Sequence, residues 1–483
     1  MKFLTGIAFC FLILFALIVQ SGCKDKPTDQ PGPTKIGQAQ VWLTSGDKST
    51  LFGKQSDLLI MDTLSSSHPL VKIDTTATLQ EIEGFGAALT GSSAYLLNKV
   101  LDAQARNTVL HDLFDPASGI GISYLRLTMG ASDFSLSDFT YDDVPAGETD
   151  PALEQFSLSR DLEDIVPVLK EIIAISPDIR LMGTPWSPPA WMKTNGNLKG
   201  GQLKIECYPA YAGYFVKYIQ AMQDQGIAID AITPQNEPLY FTAAYPCMEM
   251  QSTEQADFIK NYMGPAFSEH GIQTKIIIYD HNWDNTDYAI SILDDPGAAA
   301  YISGSAFHAY AGYVSAMSTV HAAHPDKGLY FTEISGGQWA TDFGENLMWF
   351  MKNIFIGTTK NWSKVALLWN LALDQEGGPK NNGCSNCRGV ITINSGGGAV
   401  EKNEEYYALA HFSKFVRPGA RRISATAPQT LGNLDIIAFL NPDGSKVMIT
   451  SNYSTENITF STRQGVKYFT CTVPAQSVFT ILW

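Results

Sequence analysis

Positive charge is what this sequence has little of. Its 33 Lys and Arg stand against 48 Asp and Glu, a net charge of −15 over 483 residues. No basic surplus is available to neutralise phosphates, so nucleic acid is excluded as a partner. Charged residues of both signs make up only 17%, against 45% hydrophobic, so a sizeable core can form. No Gly-x-Ser-x-Gly occurs anywhere, which argues against a serine hydrolase. There are seven cysteines. Two of them, Cys10 and Cys23, belong to the N-terminal leader described below. Cys207, Cys247, Cys384, Cys387 and Cys471 remain, an odd number that leaves at least one thiol free or paired between chains. Cys384-Ser385-Asn386-Cys387 has no second Cys/His pair at ligand spacing, so no metal site is expected there. A local loop disulfide is the expectation. Cys207 and Cys247 both fall in loops after neighbouring strands, where a second bridge is open.

What is abundant is aromatic. Phe, Trp and Tyr make up 11% of the chain, with nine Trp. Such rings fill cores, and they also line sugar-binding clefts, because pyranose rings present apolar C–H faces. The length suits a large barrel with a small companion domain.

Residues 1–22 read as a signal segment: Lys2, then an apolar run from Phe3 to Val19. Gln20-Ser21-Gly22-Cys23 resembles a bacterial lipoprotein box, although Gln20 stands where Leu is usual. Cys23 is then the lipidated N-terminus, and residues 23–37 form a polar tether. The alternative is an uncleaved N-terminal anchor. Either way the bulk of the protein lies outside the cytoplasm, anchored to a membrane, at the outer membrane surface or in the periplasm.

Residues 38–80 and 411–483 share one character. Gln40–Thr44, Pro69–Ile73, Leu434–Leu440, Val447–Ser451, Thr459–Ser461 and Ser477–Leu482 are β-like, and Asn441-Pro442-Asp443-Gly444 is a strong turn signal. One antiparallel sandwich built from both ends of the chain is the economical arrangement. Residues 81–410 alternate short apolar strands with amphipathic segments such as Arg160–Ile175, Tyr208–Gln225 and Thr253–His270. The strand candidates are Glu83–Ala88, Ile122–Leu127, Ile179–Thr184, Ala231–Gln235, Lys275–Tyr279, Gly304–His308, Leu329–Thr332 and Val365–Asn370. This pattern predicts an α/β fold, a (β/α)8 TIM barrel.

Polar and aromatic residues recur at the C-terminal ends of these strands, the face where such barrels keep their chemistry. Strand two carries Arg126 and leads to Asp133. Strand three leads to Trp186, and strand four to Asn236-Glu237-Pro238. Strand five is followed by His281, strand six by His308 and Tyr310. Strand seven ends at Glu333 and strand eight at Trp369. A carboxyl at the end of a buried strand is costly for folding. Two of them, Glu237 and Glu333, are the minimum equipment of a retaining glycoside hydrolase. The alternative is a pair of salt-bridged glutamates on a sheet edge.

With Gly84-Phe85-Gly86-Ala87-Ala88-Leu89-Thr90, Pro185–Gly196, Asn236-Glu237-Pro238, Phe331-Thr332-Glu333, Trp369–Leu373 and Gly377-Gly378-Pro379, the chain resembles glycoside hydrolase family 30 over its whole mature length. Gly84-x-Gly86 is a poor dinucleotide loop, because Leu89 stands where a third Gly is needed. The resemblance implies that Glu237 is the acid/base and Glu333 the nucleophile, with carboxyls about 5–5.5 Å apart. Arg126 is the candidate ion-pair partner of Glu333, and Tyr310 its hydrogen-bond donor. Asn236 is placed to meet the sugar 2-hydroxyl. Asp133, Trp186 and Trp369 match positions that bind the sugar of the −1 subsite. His281 and His308 are further candidates at strand ends; neither has metal-ligand spacing around it, and no cofactor is expected. The family includes glucosylceramidases, endo-β-1,6-glucanases and a branch of xylanases. For an exported surface protein, an endo-β-1,6-glucanase acting on β-glucan is the expected member, ahead of a glucosylceramidase or β-glucosidase. From another class, a glycan-capturing lipoprotein is disfavoured by the presence of both glutamates with Arg126 and Asn236.

Overall fold

The computed structural model describes residues 32–64 and 66–483. The leader, the lipidation candidate Cys23 and most of the tether lie outside the described residues. Among those described, no helix is long and apolar enough to cross a membrane.

Eight parallel strands close into a barrel. They are β1 (Gly84–Leu89), β2 (Tyr124–Met129), β3 (Arg180–Pro185), β4 (Ala231–Ile232), β5 (Lys275–Asn282), β6 (Ile302–His308), β7 (Gly328–Glu333) and β8 (Ser363–Leu368). Each pairs with the next, and β8 returns to β1 through Val365↔Gly84. The strands are buried on both faces, as parallel strands covered by helices must be. Tyr124, Met182, Ala231, Ile277, Ala306, Tyr330, Val365 and Leu367 meet in one interior cluster. The barrel is therefore a packed core with chemistry only at its ends.

Strand β4 is shorter than its apolar run implies. Pro234 has no N–H to give to a ladder, and the main chain turns inward beyond Ile232. Asn236 N donates to Pro185 O (2.9 Å) and Glu237 N to Asp280 O (3.0 Å). Glu237 takes φ +43°, a left-handed value that costs a non-glycine residue about 1–3 kcal/mol. The two flanking strands thus hold Glu237 in a conformation it would not choose alone.

Nine strands from both ends of the chain form the companion domain. Lys35–Ser45, Gly53–Met61 and Leu70–Glu81 join six strands between Arg421 and Leu482. The hairpin of Leu434–Leu440 and Lys446–Asn452 turns at Gly444 (φ +83°), as its sequence requires. Two features differ from the expected antiparallel sandwich. The hydrogen bonding closes on itself, and Leu70–Glu81 runs parallel to Ile458–Gln464. Alternation of apolar residues fixes which face is buried, not the direction of the neighbouring strand.

The two domains share a buried joint. His411, on the helix Glu404–Ser413 of the barrel, meets Thr480 Oγ1 (2.8 Å) and Thr44 Oγ1 (2.9 Å), one from each end of the chain. Burial pushes its pKa down to about 3.

Cys384 and Cys387 form the expected loop disulfide. The Cys207–Cys247 bridge does not form; both thiols, like Cys471, are free and buried. Cys247 Sγ instead accepts from Gly200 N (3.2 Å) and Thr242 N (3.1 Å), which ties two loops together without a covalent bond.

Candidate active site

The C-terminal ends of the strands open into one cavity of about 1220 Å³. Asp133, Trp186, Asn236, Glu237, His281, Tyr310, Glu333 and Trp369 all line it. Arg126 and His308 lie beneath, with no exposed surface. Every site residue read from the sequence within the barrel is thus brought to one place.

Arg126 is the centre of that place. Its side chain rises from β2 into the barrel mouth, fully buried. Nη1 donates to Glu333 Oε2 (2.5 Å), and Nη2 donates to Asn236 Oδ1 (2.7 Å) and Asp280 Oδ2 (2.8 Å). Its guanidinium carbon also lies 5.0 Å from the Trp186 ring and 5.4 Å from Trp369. Those two indoles stack on each other at 5.0 Å. They are nearly buried and line the inner end of the cavity. The other Glu333 oxygen, Oε1, accepts from Tyr310 Oη at 3.0 Å.

Asp280 is the residue that sequence reasoning missed. It lies near the end of β5, beside His281, with φ +59°. Besides Arg126, it accepts from Thr332 Oγ1 (2.7 Å) and Thr233 Oγ1 (2.9 Å), and it meets His308 Nε2 (3.1 Å). Burial opposes its charge, but Arg126 and the His308 and Thr332 hydrogen bonds outweigh burial and hold its pKa well below the ordinary value. Four of its partners come from four different strands or strand ends, so no local pattern announces it. Its place directly before His281 at a strand end was the available signal.

His308 links the two glutamates. Nδ1 lies 3.0 Å from Glu237 Oε1 and 3.9 Å from Glu333 Oε1. Burial favours the neutral ring, but the Glu333 charge and the bonds to Asp280 and Glu237 prevail and raise its pKa to about 9. Both ring nitrogens then carry protons and face carboxylates. Glu237, His308 and Glu333 have ligand atoms within 4.8 Å of one another. An ion there would have to displace the His308 Nδ1 hydrogen bond to Glu237.

The carboxyls respond in opposite directions. Burial works to raise Glu237, but the His308 hydrogen bond and the charges of His308, His281 and Arg126 together outweigh it and lower the pKa. Burial, with the Glu237 and Asp280 charges, raises Glu333 against the pull of His308 and Arg126. The groups titrate as one unit. Within it, the proton on His308 Nδ1 lies one hydrogen bond away from Glu237. The separation of the two carboxyls also limits the chemistry. One oxygen of each lies within 4.8 Å of an oxygen of the other, which fits the roughly 5–5.5 Å between the carboxyls of a retaining pair.

Asp133 and His281 complete the pocket. Asp133 Oδ1 and His281 Nδ1 are buried without a protein partner. Burial, then the charges of Glu333 and Glu237, raises Asp133 well above the usual carboxylate range. The disulfide loop presses on Asp133: Asn381 N donates to its carbonyl (2.7 Å), and a Cβ on Gly383 would stand 2.7 Å from that same oxygen. Burial lowers the His281 pKa.

Comparison with known proteins agrees with this geometry over nearly the whole described chain. The family model Glycosyl hydrolase family 30 TIM-barrel domain matches residues 82–416, and Glycosyl hydrolase family 30 beta sandwich domain matches residues 419–481. Endo-1,6-beta-D-glucanase neg1 of Aspergillus fumigatus is 34% identical over 452 residues, covering 87% of each chain. Putative glucosylceramidase 4 of Caenorhabditis elegans is 31% identical over 448 residues, 87% of this chain and 83% of that protein. The solved structure of the endo-beta1,6-glucanase BT3312 superposes with a TM-score of 0.86 at 34% identity, over 92% of this chain and 99% of that one. Barrel, companion domain and paired glutamates therefore have a common explanation: the chain belongs to glycosyl hydrolase family 30.

Proposed function

We propose that this protein is an endo-β-1,6-glucanase that cleaves β-1,6-glucan by double displacement. The observation that carries the chemistry is the pairing of Glu237 and Glu333, with oxygens within 4.8 Å at the floor of an open cavity. The choice of substrate follows the relatives named as endo-1,6-beta-glucanases, which align over most of both chains.

In the first step Glu333 attacks the anomeric carbon while Glu237 protonates the leaving oxygen. The Arg126 guanidinium and the Tyr310 hydroxyl hold the attacking carboxylate in one orientation. The proton that Glu237 gives up is drawn from its hydrogen bond with His308, and the imidazole is steadied from behind by Asp280. Attack forms a glucosyl–Glu333 ester and frees the shortened glucan. In the second step Glu237 takes a proton from water, the water oxygen bonds to the anomeric carbon, and Glu333 departs as carboxylate. Arg126 occupies Asn236 Oδ1, leaving Nδ2 to donate to a sugar hydroxyl, a contact that strengthens in an oxocarbenium-like transition state.

The test is hydrolysis of linear β-1,6-glucan with products followed over time. Wild type releases a ladder of oligosaccharides early, and Glu333→Gln loses activity by a factor on the order of 10⁵–10⁶. Glucose alone, released from chain ends, contradicts endo action. Activity on an aryl β-glucoside with none on the polymer moves the substrate to the glucosylceramidase or β-glucosidase class. Binding without turnover of either makes the protein a capture lipoprotein.

A further inference from the structure

The cavity is larger than one sugar ring requires. Its volume of about 1220 Å³ exceeds the roughly 300–1,000 Å³ that holds a drug-sized ligand. Trp186 and Trp369, with Phe134 packed against Trp369, close its inner end. The wall beyond is supplied by the segment after β7 and by the helix Phe343–Trp349. Here two indoles stand in the open: Trp339 is 57% exposed and Trp349 42%.

Both rings are held in place. A Cβ on Gly337 would lie 2.0 Å from Trp339 Cζ3, so the indole is seated against the main chain where a side chain would displace it. Trp349 packs edge-on against Phe350, centroids 5.3 Å apart at 89°. Asn346 precedes Trp349 by three residues, on the same side of the helix, and also lines the cavity. Its Nδ2 is buried and has no hydrogen-bond partner. Buried amide donors are nearly always paired. An unpaired one in a cavity wall that also carries two exposed indoles is the composition of a sugar site, with C–H faces on the rings and a hydroxyl oxygen on the amide.

We propose that Trp339, Trp349 and Asn346 form a second sugar subsite, which binds the glucosyl unit adjoining the one that is cleaved. This rests on the reading of the protein as a β-1,6-glucanase and gives it a source of chain recognition. A 1,6 linkage places a methylene and an extra rotatable bond between neighbouring rings. The second ring is then poorly ordered by the first and needs a platform of its own. Trp339 and Trp349 supply that platform, and Asn346 fixes the rotation of the ring upon it.

The experiment compares linear β-1,6-glucan with β-D-glucosyl fluoride, whose leaving atom reaches no second subsite. Trp339→Ala is expected to lower kcat/KM on the glucan about 10- to 100-fold, chiefly through KM, and to change that on the fluoride by less than about twofold. Trp349→Ala and Asn346→Ala follow the same pattern to a smaller extent, and Trp339→Phe recovers part of the loss. Equal losses on both substrates, or an unchanged glucan reaction, overturn the subsite. Wild type that turns over the fluoride and not the glucan overturns the substrate, and the subsite with it.

Discussion

The two ends of the barrel carry buried charge in opposite proportion. At the N-terminal end, Glu83 is met by Lys275 (2.8 Å), Lys364 (2.7 Å) and Arg180 (3.2 Å). Burial opposes its charge, but the lysines outweigh burial and bring its pKa down to about 2. Asp230 lies nearby, so cations still outnumber carboxylates there. At the C-terminal end, Asp280, Glu237, Glu333 and Asp133 face Arg126 and His308, with His281, whose charged form burial disfavours, beside Glu237. A carboxylate with surplus cations stays ionised and can only plug the barrel. A group of carboxylates short of cations must keep a proton among them. The same ingredients give a structural lock at one end and a proton-transfer unit at the other.

The sharpest way to break this comparison is to remove one cation from each end. Arg126→Met leaves Glu333 and Asp280 buried without their cation, and a loss of about 3–5 kcal/mol of stability is expected, together with most of the activity. Lys364→Met leaves Glu83 with Lys275 and Arg180. Lys364 is partly exposed, and about 1 kcal/mol or less should be lost, with kcat unchanged. Guanidinium unfolding midpoints and kcat/KM measure both. Equal losses would mean that the two ends are alike.

A smaller effect separates the ends by pH. Glu83 has a folded pKa of about 2 against its ordinary 4.5. Its contribution is present above pH 4.5 and is lost as pH falls through 2. His308 has a folded pKa of about 9 against its ordinary 6.5. Its contribution is complete below pH 6.5 and is lost as pH rises through 9. Melting temperature against pH should therefore lose its Glu83-dependent acid slope in Glu83→Gln, with kcat intact. The slope between pH 6.5 and 9 should flatten in His308→Gln, with kcat reduced. An unchanged alkaline slope in His308→Gln would remove the imidazolium from the account.

Much of this contrast was legible at one end only. The C-terminal end announces itself because each strand stops at an unusual residue, and Arg126, Glu237, Tyr310 and Glu333 stand there in plain view. The eight strands were legible for the same reason, within a few residues at each boundary. Strand β4 departed most, because the main chain from Thr233 turns toward Pro185 and Asp280, which are distant in sequence. Asp280 was overlooked because Thr233, Thr332, Arg126 and His308 come together only when the barrel closes. The Glu83 cluster was equally silent: Arg180, Lys275 and Lys364 are single charges at the starts of three strands. The parallel pair in the companion domain, the unpaired Cys207 and Cys247, and the open faces of Trp339 and Trp349 likewise depend on contacts between remote segments.

The central claim is that the cation-poor end supplies a nucleophile and an acid/base from one proton-sharing group. The stereochemical course of the first turnover tests it most directly. Proton NMR of the anomeric signals during hydrolysis of linear β-1,6-glucan by wild type should show the β-anomer of the new reducing end first, with the α-anomer growing only as mutarotation proceeds. Appearance of the α-anomer first would mean inversion by direct attack of water, and Glu333 would not be the nucleophile.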